Sequence, residues 1–446
     1  VDEHADSDAP PVADLIRDHA LAGGGVADTR MRKPASASAP GSASSTPQGA
    51  DAPKTPGKRK RKRRRKNGRR VFVRDDSQPT KAKIAPGQPD AGNGAAKTMP
   101  APTLRAVQGR EENRLYAALD LGTNNCRLLV ATPTKPGRFR VVDAFSRIVR
   151  LGEGLSLAGE LSDAAMDRAI EALAICAQKL KGRQLAGLHL IATEACRSAG
   201  NGETFIKRVQ SETGLRLEVI SRETEARLAV SGCSSLVSRE TEGVVLFDIG
   251  GGSSEIALID TSKRRSPRLA EHIVSWTSLP VGVVSLAEKF GGHEVTPESF
   301  EEMVAHVAAM LERFDGRDRL SHLGDPSRFH LLGTSGTVTT LAGVHLDLPR
   351  YDRRRVDGLW MDSESVDRMI ERLLSWDFDT RKANPCIGAE RADLVLAGCA
   401  ILEAIRRQWP SERLRVADRG LREGMLNEMM ARDGVWRRTK RNRSAA

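Results

Sequence analysis

Apolar positions are sparse and unperiodic as far as residue 112; from Leu115 onward, short apolar runs alternate with amphipathic stretches. The runs at 116–121, 126–132 and 138–148 have the length and composition of strands, and their closeness predicts adjacent strands of a hairpin sheet. Ser162 is a capping residue ahead of a helical rhythm that reaches Leu180, with Ile170, Leu173 and Ala177 on one face. A buried strand over 188–192, a helix over 203–213, a strand over 217–220 and a helix over 223–236 complete this pass. A second pass opens at Gly243 with strands over 243–247, 254–259 and 272–278 and helices over 282–289 and 297–314. A strand over 329–332, a helix from Thr337, and helices over 363–375, 388–409 and 421–431 close the pattern. Strands alternating with helices in this way predict an α/β protein.

The two passes begin alike. Ala118-Leu-Asp-Leu-Gly-Thr-Asn-Asn125 aligns with Leu246-Phe-Asp-Ile-Gly-Gly-Gly-Ser253, an apolar strand, an Asp, and a turn of Gly and small polar residues. Such a repeat predicts two lobes of like topology, each opening with the same hairpin. Glycine lets backbone N–H groups approach an anion, small polar side chains add donors, and an Asp at a strand end can hold a hydrated divalent cation. One Asp-x-Gly turn is ordinary; two at matched positions predict a pair of phosphate grips across a cleft.

Charge changes the picture of the ends only. Of the formal net charge of +12, residues 1–112 carry +9 and the last ten carry +5, so the intervening body is slightly acidic at −2. This excludes a folded body that binds nucleic acid by its net charge. Twelve of 21 prolines fall in 1–112 among Ala, Ser and Gly, which predicts a disordered tail. Within it Lys58–Lys66 is an unbroken run of nine basic residues, without interleaved aromatics. It reads either as a solubilising tail or as an arm for polyphosphate or RNA that senses phosphate density, not base sequence. The predicted division is a tail over 1–112, a first lobe over 113–238, a second over 239–436 and a basic tail over 437–446. No run of about 18 apolar residues occurs, so no membrane partner is expected. The acidic start Val1-Asp-Glu is unlike a signal peptide, and six scattered cysteines without CxxC spacing read as reduced, buried thiols of a cytoplasmic protein.

The paired turns, with further blocks in the same order, resemble the exopolyphosphatase and guanosine pentaphosphate phosphatase (Ppx/GppA) family. The blocks are Ala192-Thr-Glu-Ala-Cys-Arg197, Ile220-Ser-Arg-Glu-Thr-Glu-Ala-Arg-Leu228, Leu279-Pro-Val-Gly-Val-Val-Ser285, Gly333-Thr-Ser-Gly-Thr337 and Asp418-Arg-Gly-Leu-Arg-Glu-Gly-Met425. The resemblance spans 115–431 and implies two actin-like, ribonuclease-H-like lobes of the sugar kinase, actin and heat-shock chaperone superfamily. It implies an Mg²⁺-dependent phosphoanhydride hydrolase, with dimers common among members. Thr123 stands where the family usually has Ser, which keeps the hydroxyl, and only a basic decapeptide follows Trp436, where longer members add a helical domain.

Hydrolysis of a phosphoanhydride needs a positioned water, a base, and positive charge on the transferred phosphoryl group. By residue type alone, Glu223 and Glu225 could equally complement a helix N-terminus; the resemblance assigns Glu225 to the attacking water. Asp120 and Asp248 are either turn-forming residues or, as the resemblance implies, the metal-side carboxylates. Glu255 matches an acidic family position, and Arg197 is either a surface ion pair or, by resemblance, a phosphoryl contact. Gly122, Thr123, Asn124, Gly250, Gly251, Gly252 and Ser253 form the two phosphate turns. Ser335, Gly336 and Thr337 open a helix whose N–H groups suit an anion. Terminal phosphate release from polyphosphate is the leading expectation and guanosine pentaphosphate hydrolysis its near alternative. An ATP-using actin-like or sugar-kinase-like enzyme would need a nucleoside pocket in the second lobe and an Asp base, against which the Glu225 block argues. A non-catalytic polyphosphate or RNA scaffold would need a degenerate body, whereas no expected acidic or glycine position is lost.

Overall fold

The computed structural model describes residues 114–266 and 268–436; the tails predicted over 1–112 and 437–446 lie outside the described residues. The first half contains β1 Leu115–Leu121, β2 Asn125–Pro133, β3 Phe139–Ile148, α1 Leu155–Ala158, α2 Asp163–Leu180, β4 Leu185–Ala192, α3 Glu194–Ser198, α4 Gly202–Thr213, β5 Glu218–Val219 and α5 Arg222–Cys233. The second contains β6 Gly243–Ile249, β7 Ser254–Asp260, β8 Ile273–Leu279, α6 Val283–Phe290, α7 Pro297–Glu312, β9 Phe329–Thr334, α8 Ser335–His345, α9 Arg353–Val356, β10 Trp360–Asp362, α10 Ser363–Leu374, α11 Phe378–Ala383, α12 Val395–Gln408, β11 Arg413–Val416 and α13 Leu421–Arg432.

These elements build two sheets, ordered β3-β2-β1-β4-β5 and β10-β11-β9-β6-β7-β8. In each, an antiparallel three-strand meander continues into parallel strands: β1 pairs with β2 and β4, and β6 with β7 and β9. The shared order is that of ribonuclease-H-like lobes, so the fold is the two-lobed actin-like α/β class. The predicted repeat is visible to the level of single bonds. Gly122 N–H donates to Asn125 O, and Gly250 N–H to Ser253 O, both at 2.9 Å.

β1 and β6 are apolar almost throughout because each is covered on both faces. One face of the first sheet packs on α2 and α4 through Leu119, Ile170, Leu173 and Phe205. Its other face meets α5 and α13, and those two helices also meet Leu246, Ala257 and Leu332 of the second sheet. A shared helical layer therefore separates the sheets. It holds α13 against β1 and α5, although α13 lies at the far end of the sequence.

The two shared helices touch backbone to backbone. A Cβ at Gly424 would run into the Leu228 carbonyl, and one at Gly232 into the Gly420 carbonyl. Gly424→Ala should therefore lower unfolding free energy by about 1–3 kcal/mol. A denaturation midpoint unchanged by the substitution would show that the contact is not tight.

Several boundaries moved for identifiable reasons. The helix over 388–409 starts only at Val395, because Gly388 is left-handed (φ 74°) and the Asn384 side chain accepts from Cys386 N, making 384–394 a series of turns. The strand over 188–192 begins at Leu185, and Leu188 is half exposed, since only its last three residues are covered. β11, with its alternating Arg-Leu-Arg-Val, lay unrecognised yet pairs in parallel with β9. All six cysteines are buried and unpaired, as expected. Among the described residues, no helix is long and apolar enough to cross a membrane.

Candidate active site

The parallel strands of both sheets end at one place, the usual position for a ligand cleft in α/β sheets. The β1–β2 turn there faces the β6–β7 turn so closely that a Cβ on Gly251 would lie 2.9 Å from Thr123 Cβ and 3.2 Å from Asn124 N. Glycine at 251 is thus required by the approach of the other lobe. The segment after β3 braces the first turn: Val149 N–H and Gly152 N–H donate to Asn124 O and Thr123 O, both at 2.9 Å. A third turn joins β9 to α8, where Ser335 takes a left-handed conformation (φ 79°) that a non-glycine residue adopts only under constraint.

The cleft has a volume of about 520 Å³. Asp120, Gly122, Thr123, Asn124, Glu225, Asp248, Gly250, Gly251, Gly252, Ser253, Ser335 and Gly336 all line it, so most residues singled out in the sequence converge here. Three do not reach it: Arg197, Glu255 and Thr337 are absent from its wall.

Four carboxylates share this region, and burial raises the proton affinity of each. Burial, then the charges of Glu255 and Asp120, push Asp248 up to about 7. Burial also raises Asp120, against the pull of Arg127 and Arg422. Glu225, buried in the first turn of α5 behind its Ser221 cap, is held well above the usual carboxylate range by burial and by Glu255. Glu255 is raised by burial and accepts from Ser253 Oγ at 2.7 Å and Ser278 Oγ at 2.9 Å. It stands directly across the β6–β7 pair from Asp248.

Arg197 lies beside Glu225 and forms ion pairs with Glu194 and Glu225. Its Nη2 donates to Glu225 Oε2 at 2.8 Å and to Glu194 Oε2 at 2.7 Å, and its Nη1 to the Ile220 carbonyl at 2.7 Å. Each guanidinium nitrogen has a partner, and through Nη2 the side chain holds the Glu225 carboxylate in place. Glu194 is gripped in turn by Arg222 at 2.7 Å.

Sequence reading missed other cleft residues, among them Thr193, Glu194, Arg127, Tyr351, Arg353, Arg391, Asp418, Arg422 and Glu423. Arg353 binds Glu423 at 2.8 Å and the Asp418 carbonyl, and Tyr351 Oη donates to Asp418 at 2.7 Å, which fixes the turn before α13. Arg127, Arg391 and Arg422, by contrast, make no side-chain hydrogen bond or ion pair among the described residues. A signal for Arg127 was present: it pairs across from Asp120 as Glu255 pairs across from Asp248, 128 residues on. Arg391 lay in a stretch read as helix. The Asp418 block had been matched to the family but given no role.

Paired glycine turns, clustered acids and unpaired arginines between two such lobes define a phosphate-handling protein of the actin-like class. The profile of the Ppx/GppA phosphatase family matches residues 130–433, and the chain belongs to that family. It is 29% identical over 317 residues to a Haemophilus influenzae protein named "Putative exopolyphosphatase", covering 70% of this chain and 90% of that one. The crystal structure of the Aquifex aeolicus Ppx/GppA family member superposes with a TM-score of 0.57 at 28% identity, covering 72% of this chain and 98% of that chain. An exopolyphosphatase from Cytophaga hutchinsonii shares the fold with a TM-score of 0.63 at 23% identity, over 72% and 98% of the two chains.

Proposed function

We propose that this protein is an Mg²⁺-dependent exopolyphosphatase that releases orthophosphate from the end of inorganic polyphosphate. The observation that carries this choice of substrate is the lining of the cleft. Among the described residues its one aromatic side chain is Tyr351, so the lining is polar and offers a guanine base at most a single ring to stack on. Three unpaired guanidinium groups and three turns rich in N–H donors suit a chain of phosphates instead.

The residues present fit a magnesium ion. Asp120 and Asp248 are hard oxygen donors whose proton affinity is raised by burial and, for Asp248, also by the charges of Glu255 and Asp120, an excess of negative charge that a divalent cation would relieve. When bound through Asp120 and Asp248, it would neutralise phosphate charge and polarise the P–O bond under attack.

The chain's own residues do the rest. The Gly122–Asn124 and Gly250–Ser253 turns hold the terminal phosphoryl oxygens, and Glu225 takes a proton from the attacking water as its oxygen bonds to phosphorus. The anhydride P–O bond breaks, and its electron pair leaves on the shortened chain, where the free arginines offset the charge. Turnover of long-chain polyphosphate and of guanosine pentaphosphate, each with Mg²⁺ and with EDTA, tests this reading. Polyphosphate should be preferred by at least tenfold in kcat/KM and EDTA should abolish turnover; the reverse preference would assign the cleft to the nucleotide.

The basic run at Lys58–Lys66 supplies a second, sequence-independent hold on long chains. Deleting residues 1–112 should raise KM for long polyphosphate by roughly tenfold and flatten its salt dependence, while short chains keep their KM. An unchanged salt slope would make the arm inert.

A further inference from the structure

A second cavity of about 540 Å³, as roomy as the catalytic cleft and sharing no lining residue with it, lies at the opposite end of the second sheet. Its place follows from β6 and β7. Thr261, which lines it, comes directly after Asp260, the last residue of β7, and Asp260 pairs with Gly243, the first residue of β6. The second phosphate turn follows the other end of β6, so seven residues of strand set the two sites about 20 Å apart. The loop over 261–266 is pinned beside the cavity. Arg265 Nη2 donates to the carbonyls of Ser238 at 2.8 Å and Thr241 at 2.7 Å, Thr261 Oγ1 donates to the Thr241 carbonyl at 2.7 Å, and Ser266 N–H donates to His272 Nε2 at 2.8 Å.

The charged residues that line it are Arg239 and Arg265; among the described residues no carboxylate and no aromatic ring does so. Arg265 is held by neutral oxygens alone, which leaves its charge uncancelled. Arg239 and, on the same loop as Arg265, Lys263 and Arg264 are exposed and make no side-chain hydrogen bond or ion pair among the described residues. Glu242, Asp260 and Glu271 close by are engaged by Arg328, His322 and Arg268. Four cations thus gather at one cavity of a body whose net charge is −2. Unopposed positive charge around a pinned concavity attracts anions. Size then separates a single phosphate from a chain, since a cavity as large as the cleft exceeds one phosphate group. The lining separates one chain from another. Single-stranded RNA is held by bases stacked on aromatic side chains, which are missing here, whereas a bare phosphate chain needs only cations and hydroxyl donors such as Ser234.

We infer that this cavity is a second polyanion site, remote from the cleft, that binds inorganic polyphosphate. The choice of polyphosphate rests on the function proposed above; the binding itself requires no hydrolysis. A chain whose end lies in the cleft reaches the cavity only if it is long, so the site adds a hold on long chains.

The test is calorimetric titration of the full-length protein, in EDTA to halt turnover, with long-chain polyphosphate and separately with polyuridylate. Arg239→Glu and Lys263→Glu should each weaken polyphosphate binding by about tenfold and lower the slope of its salt dependence by about one. Arg216→Glu makes the same charge change at an exposed position of the first lobe and should leave the affinity at the wild-type value. The affinity for polyuridylate should not respond to Arg239→Glu. Thermal melting shows whether each variant keeps the fold. Equal polyphosphate affinity in the wild type and both cavity variants, an equal loss in Arg216→Glu, or a parallel loss for polyuridylate overturns the inference. Because binding is read without turnover, failure here leaves the hydrolase reading standing, and a failed turnover assay leaves this site standing.

Discussion

Glu225→Gln should reduce kcat by about 10²- to 10⁴-fold while leaving KM within a fewfold of the wild type, because it removes the proton acceptor and little volume. The surroundings of Glu225 suit the proposed role of a base. Burial and the nearby Glu255 raise its proton affinity well above that of an ordinary carboxylate, while Arg197 keeps the ionised form accessible. The carboxylate is anchored by its helix, since Ser221 caps α5 and the helix is wedged against α13. Steady-state kinetics on both proteins give the answer. A variant with wild-type kcat would remove Glu225 from the chemistry.

The second large effect is expected at Arg197, which donates to Glu225 and on the proposed mechanism acts through it. Arg197→Gln deletes charge-assisted hydrogen bonds worth about 1.5–3 kcal/mol, roughly 10- to 100-fold in rate at neutral pH. The direction of its pH dependence follows from the sign of the interaction. On the proposed mechanism activity needs Glu225 ionised, so it should rise with pH through the Glu225 pKa. Arg197 pulls that pKa down, and its removal must shift the acid limb of the kcat/KM profile to higher pH. Raising the pH should then recover part of the lost rate, which loss of fold would not allow. An acid limb that stays in place while activity falls would mean Arg197 meets substrate directly.

The parts of this molecule legible in its sequence are those governed by local pattern. The hairpins, the Ser162 cap of α2 and the duplicated Asp-Gly turns depend on alternation, capping and small residues within a few positions. The turns led to Asp120, Asp248 and the glycine loops, and all of them reach the cleft. What escaped depends on distance in the chain. Arg353 meets Glu423 across 70 residues, and the unpaired state of Arg391 follows from a turn sequence that resembles helix. The bond from Arg197 to Glu225 was not legible, because an arginine after a strand does not disclose a carboxylate 28 residues on. The charge count likewise marked the ends and not the site, whose positive groups are outnumbered in the body as a whole.

Orthophosphate release from long-chain polyphosphate by the full-length protein, in Mg²⁺ buffer made up in ¹⁸O-water, tests the central claim most directly. Water attack on the terminal phosphorus predicts orthophosphate as the only small product, each molecule of it carrying one solvent oxygen, with no chains of intermediate length from internal cuts. Absence of orthophosphate, internal fragments, or orthophosphate without solvent oxygen would contradict an exopolyphosphatase that uses Glu225 to activate water.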